Sequence, residues 1–165
     1  HAMIERLGTG LRSVDDLSKF LRSTTLRTSA RNQFRGQITK ILKGGINTEV
    51  ELRLNESSKI IATVTNESVK QMGLKKGAYA IALIKSSWII LSTDRDITTS
   101  ARNRLEGTVN KIIKGKVNSE IQLNLGAEKR LSCISTNESV NSLKLRKRQT
   151  PYALFKASSV ILMSD

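Results

Sequence analysis

Between residues 46 and 54 the chain alternates cleanly. Val50, Leu52 and Leu54 fall on one side, and Glu49, Glu51 and Arg53 on the other. A period of two is that of a half-buried β-strand. The run over 34–42 alternates in part and stops at Lys43-Gly44-Gly45, a turn signal. Asn55-Glu56-Ser57-Ser58 turns the chain into another strand-like run over 59–64. Thr65 is placed to cap a short helix that continues to Met72, with Gly73 in the C′ position. Past Gly77, the runs over 78–84 and 88–91 predict two more strands. Upstream, Ser13 as N-cap, Asp15 and Asp16 in the first turn and the stripe Leu17, Phe20, Leu21 predict a connector helix.

The whole pattern then repeats. Thr28-Ser29-Ala30-Arg31-Asn32 returns as Thr99-Ser100-Ala101-Arg102-Asn103, an offset of 71 residues. Thr65-Asn66-Glu67-Ser68-Val69 returns at the same offset as Thr136-Asn137-Glu138-Ser139-Val140, and Lys85 returns as Lys156. Residues 28–94 and 99–165 align without a gap, with 28 identities in 67 positions. This is a tandem duplication of one small unit. Five strands and one short helix in so few residues predict an all-β fold, a pair of small OB-like Greek-key barrels. The expected organisation is 1–27 as a cloning remnant (His1-Ala2-Met3) and connector, 28–94 as the first domain, 95–98 as linker and 99–165 as the second domain. The remnant implies that the chain is a piece of a longer protein. A unit this small is near the lower limit for an independent core, so pairing, strand exchange or oligomerisation is expected. Three turns differ between the copies: Gly45, Gly73 and Gly77 become Lys116, Lys144 and Arg148. Those turns must change shape or carry strain.

Composition narrows the function classes. No apolar run approaches the length of a membrane span, and no membrane partner is expected. Cys133 is the single cysteine, which excludes an intrachain disulfide and fits a reducing cytoplasm. One histidine, in the remnant, cannot build a metal site, and no nucleophile–base pairing is visible. The chain reads as a binding module and not as an enzyme. Its net charge of +14 follows the repeats, with +5 in 28–94 and +7 in 99–165. Bound anions or a nucleic-acid backbone would account for that. Lys144-Leu145-Arg146-Lys147-Arg148 is the densest basic run, but aromatics are only 4% of the chain and do not interleave with it. Single-strand-binding OB-folds usually present several aromatics as stacking platforms, so this weakens a direct nucleic-acid reading and leaves phosphate-backbone contact open.

The duplicated Ser-Ala-Arg-Asn segment concentrates donors in very few positions. Hydroxyls, a guanidinium, an amide and closely approachable backbone N–H groups suit a small oxyanion. Three elements of each repeat, Ser-Ala-Arg-Asn, Thr-Asn-Glu-Ser and Ile-Lys-Ser-Ser (Phe-Lys-Ala-Ser in the second), together resemble the Mop, or molybdate-binding TOBE, family. The run from Asp16-Leu17 through Leu26-Arg27 into Thr28-Ser29-Ala30-Arg31-Asn32-Gln33 is similar to the connector of ModE-type molybdate-responsive transcription regulators. In those, a winged-helix DNA-binding domain precedes a connector and a di-Mop effector domain.

The resemblance implies a ligand, molybdate or tungstate, and no further cofactor. It implies a homodimer, with DNA contacted only through an N-terminal domain preceding this region. In the first repeat it assigns Thr28, Ser29, Ala30, Arg31, Asn32, Thr65, Ser68, Lys85 and Ser86 to the anion, with Thr65 and Ser68 supplied by the same or the partner subunit. The second repeat retains Ser100, Arg102, Asn103, Thr136, Ser139 and Lys156 for a site of its own. A tetrahedral dianion accepts at every oxygen, so the pocket is expected to hold donors and no carboxylate. Glu67 and Glu138 are then expected to face away. The implied role is the effector domain of a regulator of molybdenum uptake or cofactor genes. A cytoplasmic molybdate buffer and a nucleic-acid-binding OB module are the alternatives.

Overall fold

In the computed structural model, residues 26–165 are described. The connector helix expected near Ser13–Leu21 lies outside them. The first repeat forms β1 (Asn32–Lys43), β2 (Asn47–Arg53), β3 (Lys59–Thr65), helix α1 (Asn66–Met72), β4 (Tyr79–Ile84) and β5 (Ile90–Ser92). The second forms β6 (Asn103–Glu106), β7 (Thr108–Lys114), β8 (Asn118–Gly126), β9 (Lys129–Thr136), helix α2 (Asn137–Ser142), β10 (Tyr152–Phe155) and β11 (Ile161–Ser164). The all-β expectation holds, with one short helix in each half. Trp88 does not open the last strand, as the sequence suggested. It ends a 3-10 turn, Ser86–Trp88, whose amide bond from Trp88 N–H to Lys85 C=O bends the chain before β5.

The alternation read from the sequence decides which side chains go inward. On β1, Phe34 and Ile38 are buried while Arg35 and Gln37 are exposed, and on β2, Val50 and Leu52 are buried. β1 and β2 come very close at Gly36, where a Cβ would stand 2.6 Å from Arg53 C=O. Their register slips between Ile38 and Lys40. That bulge curls the sheet, and Thr39 Oγ1 donates to Glu51 Oε2 across it at 2.9 Å. α1 forms as expected. Thr65 Oγ1 accepts from Ser68 N–H, and Gly73 closes the helix in the left-handed region at φ 61°.

The two halves do not close separately. β1 to β4 form a sheet in the order β4-β1-β2-β3, and the strand that completes it beside β4 is β11, the last strand of the second repeat. Reciprocally, β5 leaves the first repeat and pairs antiparallel with β10, which also pairs with β6. Asp165 at the end of β11 is clasped by Arg35 of β1, with Arg35 Nη2 2.6 Å from its carboxylate. Strand exchange, one of the outcomes expected from the unit's size, is thus how the duplication builds a core. A single apolar cluster runs from Phe34 and Ile60 through Ile89 and Leu105 to Phe155 and Val160. β3 is buried on both faces, since Ile60, Ile61 and Ala62 are all inside in succession. One face serves its own half and the other lies against the second repeat.

Candidate functional site

The Ser-Ala-Arg-Asn segment is folded by its own side chains. Thr28 Oγ1 accepts from Ala30 N–H at 2.8 Å and so makes the turn that leads into β1. Thr99 Oγ1 does the same for Ala101 N–H at 3.3 Å. Ala30 is buried, whereas Thr28, Ser29 and Arg31 are exposed on the turn's outer side. The β1·β4 register pairs Asn32 with Ile84. Arg31, one residue before Asn32, and Lys85-Ser86, just beyond Ile84, therefore emerge at the same end of the sheet. The second repeat repeats this: Asn103 pairs with Phe155, which brings Arg102 beside Lys156.

Each cationic and hydroxyl group there has a distinct environment. Lys85 is half-buried and its ammonium stands 5.5 Å from the Trp88 ring centroid. Ser86 is 3% exposed, and its Oγ is the one buried side-chain polar atom among the described residues without a hydrogen-bond partner. A buried hydroxyl with nothing to bond is costly, and a ligand oxygen would relieve it. The second repeat has Ala157 at that position, also buried, and so lacks the hydroxyl. Arg31 Nη2 donates to Glu120 Oε1 at 2.7 Å, and Arg102 Nη1 donates to Glu49 Oε1 at 2.6 Å. Glu120 Oε1 also accepts from Ser132 Oγ at 2.7 Å. These carboxylates, facing the arginines from the opposite repeat, depart from the expected carboxylate-free surroundings. Glu49 and Glu120 stand at the 71-residue offset, so the sequence carried the signal. Glu67, by contrast, is exposed and bonded to Gln71. Glu138 is exposed as well.

Asn32 and Asn103 hold strands with their side chains. Asn32 Nδ2 donates to Ser132 C=O at 2.8 Å and to Ile84 C=O at 3.2 Å, while its Oδ1 accepts from Ser132 N–H at 2.7 Å. Asn103 brackets Ile61 in the same way, accepting from its N–H and donating to its C=O, both at 2.7 Å. Thr65 and Ser68 are not brought to Arg31. They cap α1, with Thr65 Oγ1 donating to Ser68 Oγ at 2.8 Å, and Thr136 and Ser139 cap α2 identically. The β2·β3 register puts Thr65 beside Asn47, at the hairpin end of β1. Asn32 begins that strand and Lys43 ends it, roughly 35 Å apart along the strand path. A cavity of about 300 Å³ elsewhere, lined by Met72, Leu74, Tyr79 and Asp165 among others, contains none of the predicted site residues. Among the described residues no group of His, Cys, Asp and Glu could hold a metal ion.

Comparison with known proteins agrees with this architecture. The TOBE domain family matches the chain twice, over residues 28–91 and 99–162, and the chain belongs to that family. It is 38% identical over 160 residues to the molybdenum transport protein ModE of Herbaspirillum seropedicae, spanning 96% of this chain and 60% of that one. It is 39% identical over 165 residues to the molybdenum-pterin-binding protein MopA of Rhodobacter capsulatus, spanning 98% and 62% respectively. The chain thus spans about three-fifths of the length of these relatives. Among solved structures it is similar to the cytoplasmic molybdate-binding protein ModG in a molybdate-bound form. That match has a TM-score of 0.81 and 37% identity, over 85% of this chain and all of that one.

Proposed function

We propose that this chain binds molybdate or tungstate at the end of the β1–β4 pair, as the effector region of a transcription regulator. The observation that carries the site is the unpartnered, buried Ser86 hydroxyl beside Lys85, at the sheet end where Arg31 also emerges. Ser29, Arg31, Lys85 and Ser86 supply donors on one side of the anion, with the turn's backbone N–H groups at Ala30 and Asn32. Thr65 and Ser68 stand at the hairpin end of β1, away from the end where Arg31 and Lys85 emerge. A second copy would present them, which makes the homodimer part of this reading. The similarity to ModE supports the regulatory role. A buffer role is the second reading, favoured by the match to ModG along that protein's whole length. Both readings use the same pocket, inside the cytoplasm, with no catalysis.

The test is calorimetric titration of the chain with molybdate and then with sulfate. Tight binding is expected for molybdate only. Arg31→Ala, Lys85→Ala and Ser86→Ala are each expected to weaken it, the two charge losses by tenfold or more. That follows from about 1.5–3 kcal/mol for a charge-assisted bond in a partly dry site. Lys75→Ala, an exposed loop residue, is the control. Trp88 fluorescence should change as Lys85 turns from the ring to the anion. Equal small losses at all four positions would place the pocket elsewhere.

A further inference from the structure

The first repeat has five glycines and the second keeps two of them. The two that persist are those with no room for a side chain. A Cβ at Gly36 or Gly44 would stand 2.6 or 2.7 Å from a backbone carbonyl oxygen, and one at Gly115 would stand 2.6 Å from another. At Gly107 it would stand 2.9 Å from Leu123 Cβ. The other three, Gly45, Gly73 and Gly77, have open space around them, and all three are replaced by cations: Lys116, Lys144 and Arg148. Two of these sit where a Cβ is disfavoured. Lys144 has φ 52° and Arg148 φ 77°, in the left-handed region that Gly73 and Gly77 occupy in the first repeat. The second repeat thus keeps the loop's backbone shape and accepts strain to carry charge. Strain retained in this way points to a function for the side chains.

The cations sit on hydrogen-bonded neighbours: the β7–β8 turn, the end of α2 and the loop that follows it. Asn137, the first residue of α2, donates its N–H to Val117 C=O and its Nδ2 to Gly115 C=O, which fixes the helix to the turn carrying Lys116. α2 is six residues, about 9 Å long. Its end runs into Lys144, whose N–H bonds Asn141 C=O. The loop returns to β7 through Arg148 N–H to Val109 C=O at 2.9 Å, and β7 carries Lys111. Lys111, Lys116, Lys144, Arg146, Lys147 and Arg148 are all exposed, and none takes part in an ion pair seen among the described residues. Residues 108–119 and 139–151 contain no acidic and no aromatic residue.

We propose that this surface of the second repeat docks the phosphate backbone of duplex DNA. Six exposed cations against one exposed carboxylate, Glu138 on α2, suit a regular array of phosphates, and the absence of aromatics means that bases are not stacked upon. A bilayer is the poorer fit, because the loop's Leu145 is turned into the core at 8% exposure and Leu143 packs against it, leaving only Val117 and Ile113 at the β7–β8 turn to enter a membrane. The proposal is independent of the molybdate reading and is tested without molybdate.

The experiment is fluorescence anisotropy of a labelled duplex of arbitrary sequence, titrated with the full chain over a salt series. Binding is expected at low salt and should weaken steeply as salt rises. The double variant Lys144→Gly, Arg148→Gly restores the first repeat's glycines, so it keeps the loop shape while removing two charges. It should bind about tenfold more weakly at low salt, with the log–log salt slope reduced by about two. Lys75→Gln, Lys76→Gln removes the same charge from the first-repeat loop and should change little. The proposal is overturned if the glycine variant binds like the parent, or if both variants weaken equally, which would mean net charge alone. It also fails if the chain binds phosphatidylserine vesicles but not the duplex, a result in which exposed Val117 beside Lys116 would be the anchor.

Discussion

At the scale of single residues, Cys133 shows how far packing can silence a reactive group. Its side chain is fully buried on β9, and its Sγ donates to Ile89 C=O at 3.2 Å. Burial in apolar surroundings disfavours the thiolate and pushes the thiol from 9.0 up to about 12. The unfolded chain therefore ionises Cys133 above pH 9 while the folded chain does not, so the folded form binds more protons there. Stability from this source is complete below pH 9 and is lost as pH rises towards 12. Urea unfolding at pH 8.5 and at pH 10.5 should show the parent losing about 2 kcal/mol more than Cys133→Ala. Parallel losses in the two proteins would mean that the thiol ionises freely in the folded state.

Between elements, the two asparagines act as staples, and the difference between their targets predicts unequal costs. Asn103 satisfies both backbone groups of Ile61, which is 7% exposed on doubly buried β3. Asn32 satisfies Ser132, which is only half-buried on β9. Replacing either by alanine leaves the N–H and C=O of its target residue without that partner, and Asn32→Ala also removes the longer 3.2 Å bond to Ile84 C=O, which sits in the β1·β4 ladder. Asn103→Ala should cost about 3 kcal/mol and Asn32→Ala about 2 kcal/mol, because water reaches Ser132 more easily. Chemical denaturation would measure both. Losses below about 0.5 kcal/mol for both would mean that water replaces the amides without penalty.

The elements also show what a sequence can and cannot reveal. β2 was legible because one face meets the core and the other meets solvent, so Val50 and Leu52 alternate with charges. Ile60-Ile61-Ala62 on β3 breaks alternation because its second face is covered by the other repeat, a fact that lives in tertiary structure. Thr65 and Gly73 were legible as helix caps because their chemistry is local. Of the candidate site, the shared sheet end of Arg31 and Lys85 was legible, because Asn32 and Ile84 pair in simple antiparallel register. The clasp of Arg31 by Glu120 was not, although both residues repeat at the same offset. Alternation gives the face of a residue but not its partner across a repeat boundary.

At the scale of the whole molecule the duplication makes that boundary ambiguous to any local pattern. β5 and β11 have the same sequence context, so periodicity alone cannot say whether each returns to its own half or crosses. The structure shows that both cross, with Ile161 opposite Leu83 and Leu154 opposite Ile90. Each half then contributes a strand to the other's sheet, and the apolar cluster is shared. Covalent continuity between the halves is correspondingly less important than the strand pairing. The connection runs through exposed Thr93 to Asp96, and Arg104 Nη2 donates to the carbonyls of Asp94 and Arg95, pinning the turn from the outside. A variant with an engineered protease site replacing residues 95–98 should be cut in its native state. The two fragments should then co-elute at the mass of the intact chain and separate only in denaturant. Independent barrels joined by a linker would instead part at once on gel filtration, each still folded. Reciprocal exchange requires that separation and unfolding occur together, and the loss of β-sheet circular dichroism should follow the same denaturant curve as the loss of co-elution.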